Sequence, residues 1–263
     1  MKKLLLILTV VFTSLLSFAQ TAITDTTEST GIFYKPKKKQ SPFTSEYGMA
    51  TSNLWRGMDV GKQLIIKMEA DYQPVNWFTL NSEACAVYNQ FKDGYGNTIK
   101  NRMFFNIYNT SIGFQDVYFN KNTPTQSDTS FFHFDKATTN HFFEFALKYK
   151  GDAKSRVDLW ASYVFYQNEA YKKGAAYIEA TYHLDYNADL FIGYVTGESQ
   201  LNFQSKAGFT NVGVVIKRVL QFSKTTDAQS RLTIMVNPMY KSAIVDNPTV
   251  ANRPITANLQ IMF

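Results

Sequence analysis

The stretch that ends this chain, Ile255-Thr-Ala-Asn-Leu-Gln-Ile-Met-Phe263, places an apolar side chain at every second position. Ile255, Ala257, Leu259, Ile261 and Phe263 share one face of an extended strand, and Thr256, Asn258 and Gln260 share the other. In a water-soluble fold such a tail is an edge open to aggregation. In a membrane barrel it is the closing strand, paired with the first and turning its apolar face to lipid. The rest of the chain decides between these two readings.

The same period recurs along the sequence. Leu64, Ile66, Met68, Ala70 and Tyr72 alternate with Lys67, Glu69 and Asp71, and Phe78, Leu80, Ala84 and Ala86 alternate with Thr79, Asn81, Glu83 and Cys85. Phe143, Phe145, Leu147 and Tyr149 alternate with Glu144 and Lys148; Val157, Leu159, Ala161, Tyr163 and Phe165 with Arg156, Asp158 and Ser162; Ile178, Ala180, Tyr182 and Leu184 with Glu179, His183 and Asp185. No stretch of similar length shows the spacing of an amphipathic helix, so the fold class is all-β. Twelve segments emerge, at 43–58, 62–73, 76–90, 101–110, 112–120, 140–150, 155–167, 174–186, 189–197, 208–220, 230–240 and 254–263. The fifth is weakest, because Asp116 spoils one phase and Gln115 the other. An even number of strands, each near the ~9–11 residues that cross a bilayer when tilted, predicts a transmembrane antiparallel β-barrel. Alternate connections are long (120–139, 167–173, 197–207, 241–253) and the others tight, apart from a short first outward turn at 59–61 and a long inner one at 221–229.

The address agrees. Met1-Lys2-Lys3, an apolar run from Leu4 to Leu16 and Ser17-Phe18-Ala19 read as a secretory signal peptide, residues 1–19. Residues 20–42, polar and carrying Lys35-Pro-Lys-Lys-Lys39, read as a flexible periplasmic leader, and 43–263 as the barrel. Loss of the signal lowers the formal charge from +6 to +4, too mild and dispersed for nucleic-acid binding. A single cysteine, Cys85, excludes an internal disulfide. The 22 Phe and 16 Tyr are what two interfacial aromatic belts consume.

Thr51-Ser-Asn-Leu-Trp55-Arg56-Gly57-Met-Asp59, followed by Ala70-Asp71-Tyr72 and Asn76-Trp77-Phe78, resembles the opening of TorF-type outer-membrane porins. That resemblance covers about 40 residues. It implies a barrel in the outer membrane of a Gram-negative-type envelope and a channel function, and supplies no catalytic residues.

Charges that keep to the polar phase are the candidate pore-lining set: Arg56, Lys67, Glu69, Asp71, Glu83, Glu144, Lys148, Arg156, Asp158, Glu179, His183 and Lys217. Water reaches a lumen charge, whereas a lipid-facing one costs roughly 2–4 kcal/mol near the midplane. Arg56, beside a turn glycine, is expected to face inward and pair with Glu69, Asp71 or Glu83, either setting the field at a constriction or pinning the first hairpin. A barrel enzyme needs a nucleophile, a histidine and an orienting partner; Ser162, His183, Glu179 and Asp185 are the residues available, without a Gly-x-Ser-x-Gly element, and no enzyme is expected. Asp93-Gly94-Tyr95-Gly96-Asn97 reads as a turn, and no metal or cofactor motif is present. Phe131, Phe132, His133 and Phe134 form an apolar group in a long loop, suited to a constriction, to a partner, or to a strand prolonged beyond the membrane. The expected function is a porin-like channel, or else a closed barrel with a structural or docking role. The expected partners are outer-membrane lipid, small solutes, and the barrel assembly machinery acting on the strand that ends at Phe263.

Overall fold

The computed structural model describes residues 41–263, apart from 53, 57, 61–63, 88–93, 123–130, 153–154, 170–174, 186, 200, 203, 222–226, 243–249 and 252. The signal peptide and nearly all of the leader, Lys35–Lys39 included, lie outside the described residues.

Period-two alternation becomes strands throughout. They are β1 Phe43–Ala50, β2 Leu54–Trp55, β3 Met58–Val60, β4 Ile65–Val75, β5 Phe78–Val87, β6 Gly94–Ile107, β7 Thr110–Asn122, β8 His141–Tyr149, β9 Val157–Tyr166, β10 Ala176–Asp185, β11 Ala188–Val195, β12 Gly208–Gln221, β13 Asp227–Val236, β14 Val250–Ala251 and β15 Ile255–Met262. Twelve of them close a barrel in the order β1-β15-β13-β12-β11-β10-β9-β8-β7-β6-β5-β4, while β14, β3 and β2 form a separate small sheet. Every barrel pairing is antiparallel.

The seam lies where the terminal strand meets the first. Gly48, Met49 and Ala50 pair with Met262, Ile261 and Gln260. Tyr47 and Phe263 exchange backbone hydrogen bonds of 3.2 and 2.8 Å, and their rings stack at 5.8 Å. Gly48 is required here, since a Cβ would sit 2.0 Å from the Ile261 carbonyl oxygen.

Inside and outside are inverted relative to a soluble barrel. On β15 the apolar residues Ile255 and Leu259 are 63% and 44% exposed, while Thr256 and Asn258 are 6% and 7% exposed. Exposed outward residues on the other strands are likewise apolar: Ile66, Met68, Leu80, Phe105, Leu159, Ile178 and Ile192. Aromatic side chains gather toward the two ends of this band. Trp77 stacks on Phe105 at one end, and Tyr194 meets Phe209 at the other.

Three boundaries depart from the sequence reading. The expected first strand, 43–58, ends at Ala50, so 51–64 becomes a long connection and the short first turn disappears. Trp55 continues the apolar phase of Tyr47 and Met49, yet it serves, with Met58, a buried cluster inside the barrel rather than the outer face. Gly94–Asn97, expected as a turn, belongs to β6. Phe131–Phe134 forms neither a strand nor a lumen constriction, and packs instead on the outer face of β7 and β8.

That outer packing explains the broken phase of β7. Asp116 and Tyr118 share the face of Phe114, opposite His141, Phe143 and Phe145 on β8. The ring of His141, fully buried, bonds Asp116 through Nδ1 at 2.8 Å and the Phe131 carbonyl through Nε2 at 2.5 Å. The rings of Phe134, Tyr118 and Phe131 surround it at 4.4, 4.8 and 5.1 Å. One hydrogen-bonded histidine–aspartate pair, shielded by aromatic rings, thus sits on an otherwise apolar surface. His141→Ala leaves the Asp116 carboxylate unpartnered there, at a cost of about 3 kcal/mol. Chymotrypsin is expected to cut that variant within 131–139 faster than the native protein, with the barrel itself still intact on gels.

Candidate functional site

The loop 51–64 turns into the barrel. β2 and β3 pair as a hairpin, Trp55 opposite Met58, with Arg56 at the turn in the left-handed region at φ 45°. Met58 is fully buried and Trp55 nearly so, in a cluster with Val117, Phe119, Phe142, Val164 and Leu201. The Trp55 indole N–H donates to the Leu201 carbonyl at 2.8 Å, and its ring meets Phe119 edge-on at 5.9 Å. The inward side chains of β7–β9 are apolar at this level because the hairpin covers them. Burial of two large side chains there holds the loop down by several kcal/mol.

Arg56 faces inward, as expected, with partners other than Glu69, Asp71 or Glu83. Its guanidinium lies between the rings of Trp55 and Tyr177, 4.6 and 4.7 Å from their centroids. Nη1 and Nη2 donate to the two oxygens of Glu144 at 2.8 and 2.6 Å, and further bonds go to Asn202 and Ser162 at 2.7 and 3.0 Å. The arginine therefore ties the β1–β4 connection to β8, β9 and the β11–β12 connection. Ser162 and Gln115 also donate to Glu144, at 2.9 and 2.7 Å, so its carboxylate accepts from four groups while only 1% exposed. Planar, bidentate pairing of this kind is a task for arginine rather than lysine.

Gln115 links this pair to a second network. Its Oε1 accepts from Arg102 Nε at 2.8 Å, and Arg102 Nη2 lies 3.0 Å from Glu83. Glu83 is also held by Lys100 at 2.7 Å and Lys67 at 3.6 Å. Asn81 donates to both Glu69 and Asp71, at 2.9 and 2.8 Å. A third network crosses β9–β12: His183 bonds Asp189 at 2.7 Å and Asp158 at 3.2 Å, and Lys217 pairs with Asp189. Glu179 accepts from Tyr177 at 2.5 Å and Asn211 at 3.0 Å.

The hairpin does not fill the lumen. A cavity of about 570 Å³ extends from Ala50, Ser52 and Leu54 to His183, Lys217 and Gln229. A second, of about 440 Å³, is lined by Glu69, Asp71, Arg102, Phe104, Lys148 and Trp160 among others. Arg56 borders both. Its side chain, clamped between two rings and a carboxylate, stands at their border, as does Glu179.

Of the candidate set, Lys67, Glu83, Asp158, His183 and Lys217 line the larger cavity, Glu69, Asp71 and Lys148 the smaller, and Arg56 and Glu179 both. Glu144 is walled off behind Arg56. Arg156 lines neither; it precedes β9, is exposed, and donates to the Leu184 carbonyl at 3.0 Å. Lys100, Tyr177, Asp189 and Arg231 are lumen residues that the set omits. Lys100 shares the phase of Arg102, one pleat beyond the start assumed for that strand, and the same signal would have found it. The residues considered for hydrolysis do not assemble. His183 bonds aspartates from β9 and β11, while the Ser162 hydroxyl donates to Glu144 and accepts from Arg56.

No family model matches the chain, and no curated protein does. Among solved structures it is similar to the COG4313 outer membrane channel from Pseudomonas putida F1, at 12% identity over 89% of this chain and 99% of that one, with a TM-score of 0.35. A likeness this distant carries no residue role across.

Proposed function

We propose that this protein is exported and resides in the outer membrane, where it acts as a channel for small solutes constricted by its first loop. The observation that carries this reading is a closed barrel with an apolar outer band and a charged lumen, in which the loop hairpin leaves a cavity along one wall. Backbone groups have no water to bond in lipid, and a closed barrel satisfies them all. Charges line water where they are affordable, and a folded-in loop sets the bore. In this reading residues 1–19 are the export signal, and the assembly machinery acts on the strand ending at Phe263. The TorF-type resemblance rests on the Trp55-Arg56-Gly57 hairpin and on the strands that follow it.

Planar-bilayer recording of the purified, heat-modifiable protein tests the proposal. Stepwise currents are the expected result. A correctly folded barrel that stays silent means the Arg56 plug closes the lumen, and the role is then structural or docking.

A further inference from the structure

We propose that the larger lumen cavity holds an oxyanion subsite formed by Arg231 and Lys217, so that the solutes this barrel takes include small anions of the phosphate class. The inference rests on the channel reading and gives its solute a chemistry.

The larger cavity is lined by four carboxylates, Glu83, Asp158, Glu179 and Asp189. Each is already held: Glu83 by Lys100, Lys67 and Arg102; Asp158 by His183 and the Gly151 N–H; Glu179 by Tyr177 and Asn211; Asp189 by His183 and Lys217. Arg231, on β13, has no such partner. Among the described residues no carboxylate lies within salt-bridge distance of it, and its one hydrogen bond, from Nη2 to Gln229 at 3.4 Å, is long. Its Nε is buried and bonds nothing described.

Its cross-strand neighbour sharpens the point. Lys217 on β12 stands directly opposite Arg231 on β13, and both line the cavity. Like charges at paired positions of a sheet repel. Lys217 spends one donor on Asp189 and has others to give, its side chain being 38% exposed. The guanidinium fork and the ammonium thus stand at paired positions on one stretch of the cavity wall, where no carboxylate among the described residues is left unpaired and Gln229, Thr233 and Gln260 add neutral hydrogen-bonding groups. A phosphate-type anion relieves the repulsion, and it supplies acceptors for a fork that lacks them. A monovalent carboxylate shares that chemistry and meets one cation fully rather than two.

The test uses the full-length purified barrel in a planar bilayer, with inorganic phosphate titrated into a chloride electrolyte and acetate in a parallel series. Phosphate is expected to reduce the chloride current saturably, and acetate more weakly. Arg231→Gln is expected to weaken the phosphate effect about tenfold, the factor that ~1.4 kcal/mol of charged hydrogen bonding represents. Arg231→Lys, which keeps the charge without the fork, recovers part of it. Currents indifferent to phosphate, or equally affected in Arg231→Gln, overturn the subsite and leave the channel standing. Absence of current in a folded protein overturns the channel alone. The subsite is then read from the temperature at which heat-modifiable migration is lost, which phosphate must raise in the native protein and not in Arg231→Gln; no rise overturns it.

Discussion

Arg56→Ala is expected to raise single-channel conductance and to lower the stability of the barrel, through two separable consequences of one deletion. The guanidinium stands between the Trp55 and Tyr177 rings and borders both cavities. Trp55 keeps its own anchors on Leu201 and Phe119. The hairpin therefore stays in the lumen while a slot opens between the two rings. The cavities of about 570 and 440 Å³ are then expected to communicate, which widens the path at this level. Stability falls for another reason. Glu144 keeps the bonds from Ser162 and Gln115 and loses its only counter-charge among the described residues. A buried carboxylate stripped of its partner costs about 3–5 kcal/mol. Arg56→Ala combined with Glu144→Gln removes the charge along with its partner, and is expected to regain most of the stability while keeping the larger conductance. Conductance steps and the temperature of unfolding, measured on both variants, check the two arms independently. If conductance is unchanged in both, Arg56 is a structural pin and not a partition between the cavities.

The contrast between Arg56 and Glu83 shows how much of this site the sequence discloses. The strands are legible because a closed barrel with an apolar outer face imposes one rule at every second residue. That rule puts Lys67, Glu69, Asp71 and Glu83 in the lumen from local pattern alone. The partner of Arg56 obeys no local rule. Glu144 lies 88 residues away on a wall that only barrel closure brings near, whereas the carboxylates on β4 and β5 are closer along the chain. The same rule misleads at 51–58. A strand running to residue 58 puts Trp55 in the outward phase of Tyr47 and Met49, and it is buried instead, with Met58, among inward apolar residues of β7–β9. Val117, Phe119 and Phe142 are the sequence trace of that arrangement, since an apolar lumen residue implies something dry packed against it. Asp116 marks the converse case, a charge on the outer face made tolerable by His141 and a cover of aromatic rings.

Leu259→Asp tests the terminal strand on which the closure depends, and it is expected to prevent assembly where Asn258→Asp does not. The two positions are consecutive on β15 and point to opposite sides. Leu259 faces outward near the middle of the strand, paired with Leu232. An aspartate there costs on the order of 1–2 kcal/mol, below the ~2–4 kcal/mol of a basic residue at the midplane. It also forfeits the leucine's transfer out of water, roughly 2 kcal/mol more. The strand that must bear this is held on its β1 side by a short register, from Thr51–Leu259 to Tyr47–Phe263. Closure leaves little margin for such a loss. Asn258 faces the larger cavity, where its Oδ1 accepts from the Thr51 hydroxyl and the Ser52 N–H, both at 3.1 Å. A carboxylate oxygen accepts the same two bonds, and the cavity gives its charge access to water. Both variants add one negative charge to neighbouring residues, so any difference between them reports the face and not the charge. The heat-modifiable fraction recovered from membranes is expected to fall severalfold for Leu259→Asp and to match the native protein for Asn258→Asp. Equal recovery of the two would mean that β15 does not meet lipid.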